Sequence, residues 1–163
     1  MEERGVKERV NNSEAYIWED AVQYATFSLA TAYTDSQVGD FVRFDTSGNI
    51  TRSTTGGSGV DINNYRGLIV GIAPDSGEYP AFGAHLNRPL VALLTPNKTE
   101  LVMRQIDGNG FYMAPTLKAG DTTMFTYNTT TKRWGVQANG TNPATGRVAQ
   151  VLSDGRLLIV FGG

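Results

Sequence analysis

The sequence predicts an all-β protein: a small β-barrel or sandwich, or a β-clip-like body, built from two similar units and preceded by an extended N-terminal arm. Three observations predict it. First, one segment type occurs twice. Val38-Gly39-Asp40-Phe41-Val42-Arg43-Phe44 is echoed by Ala119-Gly120-Asp121-Thr122-Thr123-Met124-Phe125. Each copy leads through a Thr/Asn-rich turn to a Gly and an apolar run, Arg66–Ala73 and Thr145–Leu152, and closes on another, Arg88–Leu94 and Arg156–Phe161. Second, turn signals punctuate short apolar stretches throughout. Third, 19 of the 163 residues are Gly and only 18% are charged, against a usual share of about 25%. Few charges and many small polar residues suit a β-rich protein whose surface is partly covered by partners.

The elements follow in chain order. Residues 1–14 carry too few apolar side chains to offset the entropy of ordering, so they are expected to be a mobile tail. Residues 15–33 mix two periods. Trp18, Ala21, Val22, Ala25, Leu29 and Ala32 fit a helical stripe. Tyr24, Thr26, Ser28 and Ala30 alternate with Ala25, Phe27, Leu29 and Thr31 as in a strand, and the Thr and aromatic content favours the extended form. The expectation is an arm over residues 1–33, extended, with a short helical turn near Trp18, and a β-rich domain over 34–163; an ordinary first strand or helix packed on its own core is the alternative. From Asp35 onward, strands are expected at Phe41–Phe44, Gly67–Ala73, Leu90–Thr95, Glu100–Ile106, Thr123–Tyr127, Arg147–Leu152 and Arg156–Phe161. Ser153-Asp154-Gly155-Arg156, between two apolar runs, is the clearest hairpin signal. The six prolines sit at or near strand ends, where a missing N–H is tolerated.

Composition narrows the function classes. There is no Cys, so disulfides and Cys-ligated metals are excluded, and the single His leaves no multi-His metal site within one chain. A net charge of −2 offers no basic footprint for nucleic acid. No run of about 18 apolar residues provides a membrane span, and the charged start Met1-Glu2-Glu3-Arg4 lacks a signal peptide's apolar stretch, which predicts synthesis in a cytoplasm.

No motif supplies a reactive centre. Gly56-Gly57-Ser58-Gly59 lacks the Lys and Ser/Thr of a phosphate loop and reads as a flexible linker. Asp107-Gly108-Asn109-Gly110 offers closely spaced oxygens, but no acid follows until Asp121, so it reads as a tight turn rather than a calcium loop. His85 has no nucleophile in a recognisable elbow to serve and reads as a surface or interface residue. Asp40 and Asp121 stand at equivalent places in the two units, which points to carboxylates bonding backbone N–H groups at turns. The expectation is a non-enzyme without catalytic residues, cofactor or metal. The most suggestive residues are the apolar and aromatic ones of the first segment, Tyr16, Ile17, Trp18, Val22, Tyr24, Phe27 and Leu29, since aromatic anchors suit a partner surface.

The run Val38-Gly39-Asp40-Phe41-Val42-Arg43-Phe44-Asp45, with Gly48-Asn49-Ile50, then Arg66–Ala73, then the second unit at Lys118-Ala119-Gly120-Asp121 and Gly146-Arg147-Val148-Ala149, resembles the head decoration (cement) proteins of tailed bacteriophages. The resemblance covers roughly residues 35–163 and is one of turns and strands. It implies a barrel-like or clip-like body, commonly a homotrimer, on the outer capsid surface of a virion, bound to the major capsid protein. It also implies an N-terminal arm reaching over neighbouring capsid subunits. A head-fibre or tail-associated receptor- or glycan-binding module is the alternative; it would need Tyr127 or Trp134 exposed beside polar partners.

Overall fold

The computed structural model describes residues 15–17, 23–53, 62–71 and 88–162. The tail over 1–14, the helical turn near Trp18, the glycine loop Gly56–Gly59 and His85 lie outside them. The described chain is all-β. Its strands are β1 (Tyr16–Ile17), β2 (Tyr24–Thr26), β3 (Phe41–Phe44), β4 (Ile50–Arg52), β5 (Gly67–Gly71), β6 (Leu90–Leu93), β7 (Glu100–Met103), β8 (Thr122–Asn128), β9 (Arg133–Ala138), β10 (Gly146–Val151) and β11 (Leu157–Phe161). They form two antiparallel sheets, six-stranded β1-β7-β11-β10-β8-β9 and five-stranded β2-β6-β5-β3-β4, packed as a β-sandwich. The hairpin at Ser153–Arg156 joins β10 to β11, with Gly155 at φ 88° and the Asp154 carboxylate accepting the Arg156 N–H.

The duplication is structural and longer than its sequence echo. Phe41↔Leu68 and Val42↔Gly67 in the first unit match Thr122↔Arg147 and Thr123↔Gly146 in the second. Val42↔Arg52 and Phe44↔Ile50 match Thr123↔Ala138 and Phe125↔Val136. Both units carry a register irregularity at the same place, Ile69/Gly71 and Val148/Gln150. Both enter their first repeated strand through a turn with glycine at φ 95°, Gly39 and Gly120. The bonds around it coincide: Gly39 N–H to Ile69 O and Ile69 N–H to Asp40 O in one, Gly120 N–H to Val148 O and Val148 N–H to Asp121 O in the other.

The match reaches back to β2 and β7. Ala25↔Val91 is the counterpart of Leu101↔Ile159, and the parallel bridge Leu29↔Ile50 is the counterpart of Gln105↔Val136. Each unit is therefore a five-stranded sheet, β2-β6-β5-β3-β4 or β7-β11-β10-β8-β9, and β1 is a sixth strand on β7. Of the segment expected as an arm, residues 23–30 begin the first unit and residues 16–17 close the edge of the second. Ala25, Phe27 and Leu29 are half-buried and alternate with Tyr24, Thr26 and Ser28, of which Tyr24 and Ser28 are exposed.

The units stack back to front. Side chains directly paired across strands share a face. In the first unit Phe41, Leu68 and Ala92 form one such row and enter the main core. The counterparts of that row in the second unit, Thr122, Arg147 and Val160, do not. The second unit instead supplies its other row, Phe125, Val136, Val148, Ile159 and Leu101, to the same core. Phe41 sits at the junction, its ring 5.0 Å from both Phe125 and Trp134 and 5.8 Å from Tyr65. The first unit's remaining row, Val42, Ile50, Ile69 and Val91, builds a second core with Tyr33 and Val38, against which Phe27, Leu29 and Phe44 pack.

Two glycines hold this packing in both units. A Cβ on Gly67 would lie 2.2 Å from Val91 Cγ1, and one on the equivalent Gly146 would lie 2.6 Å from Ile159 Cγ2. The expected cost of Gly67→Ala or Gly146→Ala is about 1–3 kcal/mol of overpacking. Gly108→Ala, with nothing within 4 Å of its Cβ, should change stability far less. Urea denaturation of the three variants checks this, and equal midpoints for all three would contradict the packing.

Candidate functional site

Among the described residues, those singled out in the first segment do not come together as one patch. Tyr16 and Ile17 pair with Val102 and Leu101 at the edge of the six-stranded sheet, while Ala15 just before them is buried in the main core. Tyr24 opens β2 on the edge of the other sheet and is 36% exposed. Phe27 and Leu29 turn onto the second core. The Phe27 ring stands edge-on to Phe44 at 4.8 Å, and the Leu29 segment is fixed by Ala30 N–H to Ile50 O (2.8 Å) and Ile50 N–H to Ser28 O (2.9 Å). Trp18 and Val22 lie outside the described residues. Phe27 and Phe44 open onto a cleft of about 360 Å³ shared with Ile62, Leu93, Leu94 and Pro96. Among the described residues, this cleft, the two sheet edges and exposed Tyr24 are the surfaces the first segment presents.

Among the described residues, the densest polar cluster is elsewhere and interior. The Asp40 carboxylate is fully buried and accepts from the Tyr33 hydroxyl (2.5 Å), the Trp134 indole N–H (2.9 Å), the Gln37 amide (3.2 Å) and the Arg52 guanidinium (2.8 Å from Nη2). Arg52 also reaches the Asp35 carboxylate at 3.1 Å and lies over the Tyr127 ring at 4.4 Å. Gln37 donates on to the Lys132 carbonyl. Asp40, Arg52 and Tyr33 belong to the first unit and Trp134, Tyr127 and Lys132 to the second, so the cluster ties the two sheets together.

The equivalence of Asp40 and Asp121 thus holds in the backbone and breaks in the side chains. Exposed Asp121 bonds the Lys118 N–H at its turn, as expected of both. Asp40 instead takes side-chain donors, because it is sealed between sheets where only they can reach it. The residue paired opposite in the second unit, at the place of Arg52, is Ala138. Nothing in the local sequence marks Arg52 or Tyr33 as partners of Asp40; that Arg52 has no cationic counterpart in the second copy shows only once β4 and β9 are aligned.

Two further expectations meet the geometry here. Asp107 accepts the N–H groups of Asn109 and Phe111, so Asp107–Gly110 is a tight turn held by its own carboxylate. Trp134 is 1% exposed and Tyr127 is buried, so neither ring can serve as a platform for a sugar.

The environment of Asp40 sets its neighbours' ionisation. Burial, then the Asp40 charge and its hydrogen bond, push the Tyr33 hydroxyl far above its ordinary 10.0. Burial alone pushes Tyr65 up. Burial raises the Asp35 carboxyl, but hydrogen bonds and charge from Arg52 outweigh it and hold the group below the usual range.

A group whose folded pKa is raised stabilises fully below its unfolded pKa and loses that contribution as pH rises. The tyrosines therefore predict a loss of stability that begins near pH 10 and deepens above it. Absorbance titration should show the phenolates of Tyr33 and Tyr65 appearing only with cooperative unfolding; ionisation in the folded state would contradict it. Asp40→Asn leaves the partly buried Arg52 facing a neutral amide and should cost about 3 kcal/mol, at the low end for a broken buried pair, read from denaturant midpoints. A cost near that of a surface substitution would show that Asp40 does not tie the sheets.

No family model, curated protein or solved structure matches the chain.

Proposed function

We propose that the protein is a non-enzymatic structural protein that binds the outer surface of a tailed-phage capsid, as a homotrimer, and reinforces contacts between major capsid protein subunits. The observation that carries this reading is the placement of the first segment. Among the described residues, its two strands stand at one end of each sheet, and its aromatic residues Tyr24 and Phe27 stand at an edge and at a cleft. A capsid-binding clamp needs a stiff body that carries apolar anchors at its margin. Anchors held on strands lose little conformational freedom on docking, so more of the contact energy appears as affinity. Repetition of the contact in a trimer multiplies that gain.

Removing residues 1–33 would delete β2, the first strand of a folded unit, so the test uses point variants. Purified protein should co-sediment saturably with undecorated tailed-phage capsids. Tyr24→Ala and Phe27→Ala should each weaken that binding at least about tenfold, as loss of an aromatic anchor worth more than about 1.4 kcal/mol does, with far-ultraviolet circular dichroism unchanged. Absence of binding by the full chain, together with retention on a glycan array, would replace this reading with a sugar-binding one.

A further inference from the structure

Arg52 and Arg133 both lie over aromatic rings, and only Arg52 is answered by carboxylates. The Arg52 guanidinium is 5.2 Å from the Tyr33 ring and 4.4 Å from the Tyr127 ring. Its Nε and Nη2 donate to Asp40 and its Nη1 to Asp35. The Arg133 guanidinium is 5.7 Å from the Phe111 ring and 5.1 Å from the Tyr112 ring. Among the described residues no acceptor bonds it: Nε is buried without a partner, and neither Nη group makes a hydrogen bond or an ion pair. The two Nη groups are not buried, so their donors open on solvent.

The setting of Arg133 is fixed by other bonds. Phe111 and Tyr112 follow the Asp107–Gly110 turn, and Arg133 follows the Asn128–Lys132 turn. The Thr131 hydroxyl donates to the Gly110 carbonyl (3.0 Å) and ties one turn to the other. The Tyr112 hydroxyl donates to the Trp134 carbonyl (3.4 Å). The Asp107 carboxylate accepts the N–H groups of Asn109 and Phe111 in its own turn and makes no bond to Arg133. Among the described residues Phe111 is the most exposed large apolar side chain, at 53%. An unpaired buried donor costs free energy on folding, and an exposed ring beside it buries little. Both features suit a partner, since Phe, Tyr and Arg are the residues enriched at protein contacts. With Nε shut in, the two Nη groups are the donors that a partner meets, and a carboxylate fits such a pair with two parallel bonds.

We propose that Arg133, with Phe111 and Tyr112, is a docking site for an Asp or Glu side chain of a partner protein. Arg52 shows within the same chain what a guanidinium over two rings binds. A nucleic-acid backbone would call for a run of cations, which a chain of net charge −2 does not supply. The rings hold the guanidinium before any partner arrives, so little rotamer freedom is lost on docking. Cover by the partner then removes water and strengthens the pair. The inference goes beyond the proposed function. It lies on the second unit, not on the first segment, and it names the chemistry of the partner residue whichever protein presents it.

The test uses the purified full chain and no capsid, so it and the capsid reading fail separately. Nuclear magnetic resonance follows the backbone and arginine side-chain signals during titration with a blocked tetrapeptide of glutamates, with the same peptide built of glutamines, and with inorganic phosphate. The glutamate peptide should shift the signals of Phe111, Tyr112 and Arg133 to saturation, and the glutamine peptide should not. Arg133→Gln should weaken binding of the glutamate peptide at least about tenfold, with thermal melting retained, because no hydrogen bond of the fold ends on this guanidinium. Arg133→Lys keeps the charge without the paired donors and should weaken it less. Should Arg133→Gln fail to melt as a folded protein, Arg133→Lys decides in its place, and binding as tight as that of the unaltered chain counts against the site. Absence of a saturable shift at Arg133, an equal response to the glutamine peptide, or an unchanged response in Arg133→Gln would each overturn the proposal. A response to phosphate alone would assign the site to phosphoryl groups and overturn it as well.

Discussion

A single carboxylate sets the relation of the two sheets. Asp40 is sealed from water, and a buried charge is tolerated only where donors surround it. Its donors come from both units: Tyr33, Gln37 and Arg52 from one, the Trp134 indole from the other. Sliding one sheet over the other would strip Trp134 from the carboxylate and Arg52 from the face of Tyr127. Apolar contact between the sheets is non-directional and permits many neighbouring arrangements. The bonds to Asp40 are directional and permit few. The core supplies the driving force for stacking, and Asp40 selects one stack among those the core would allow.

Stacking back to front explains why two units of one architecture differ so much in residues. The first unit is buried on both faces, so its strands are nearly continuous in apolar residues: Phe41-Val42, Leu68-Ile69-Val70, Leu90-Val91-Ala92. The second unit buries mainly one face; on the other it buries a small cluster, Val102 and Leu158, with Leu152 packed against them. Its β8 accordingly alternates, with Thr123, Phe125 and Tyr127 buried and Thr122, Met124 and Thr126 less so. A front-to-front pair would have asked for the same pattern twice. Here Leu68 stands where the other unit has Arg147, and Arg52 where it has Ala138. What the backbone itself requires survives in both copies: glycine at φ 95° before the first repeated strand, and glycine where a side chain of the neighbouring strand leaves no room.

Those requirements decide how much was legible in the sequence. The all-β class, the two units and most strands could be read, because glycine turns and alternation are local signals. β4 and β9 were not anticipated. Ile50-Thr51-Arg52 is too short to show a period, and Arg133–Ala138 follows the polar turn Asn128–Lys132, which masks its start. The extent of the repeat was also illegible. Nothing in Tyr24-Ala25-Thr26 resembles Glu100-Leu101-Val102, since only the residues turned to a core are constrained and the two cores differ. The Asp40 cluster was beyond reach for a related reason: its partners lie up to 94 residues away, and their convergence is a property of the stack.

The same repeat changes what the first segment can do for a partner. Read from composition, residues 15–33 looked like a leader whose aromatics were free to fold onto another surface. Bound into the first unit, Tyr24, Phe27 and Leu29 have lost that freedom before any partner arrives. A free leader gives up rotamer and backbone entropy on docking, at about 1–2 kcal/mol for each residue fixed. Anchors already held by β6 and by the bridge to Ile50 give up much less. They can reach only what is presented to a sheet edge or to the cleft beside Phe44. Such a surface trades reach for geometry: it cannot follow a partner that moves, but it can hold two neighbouring partners at a fixed angle. Reinforcement of a shell depends on that property, and it is why a rigid margin suits the proposed role better than a flexible arm.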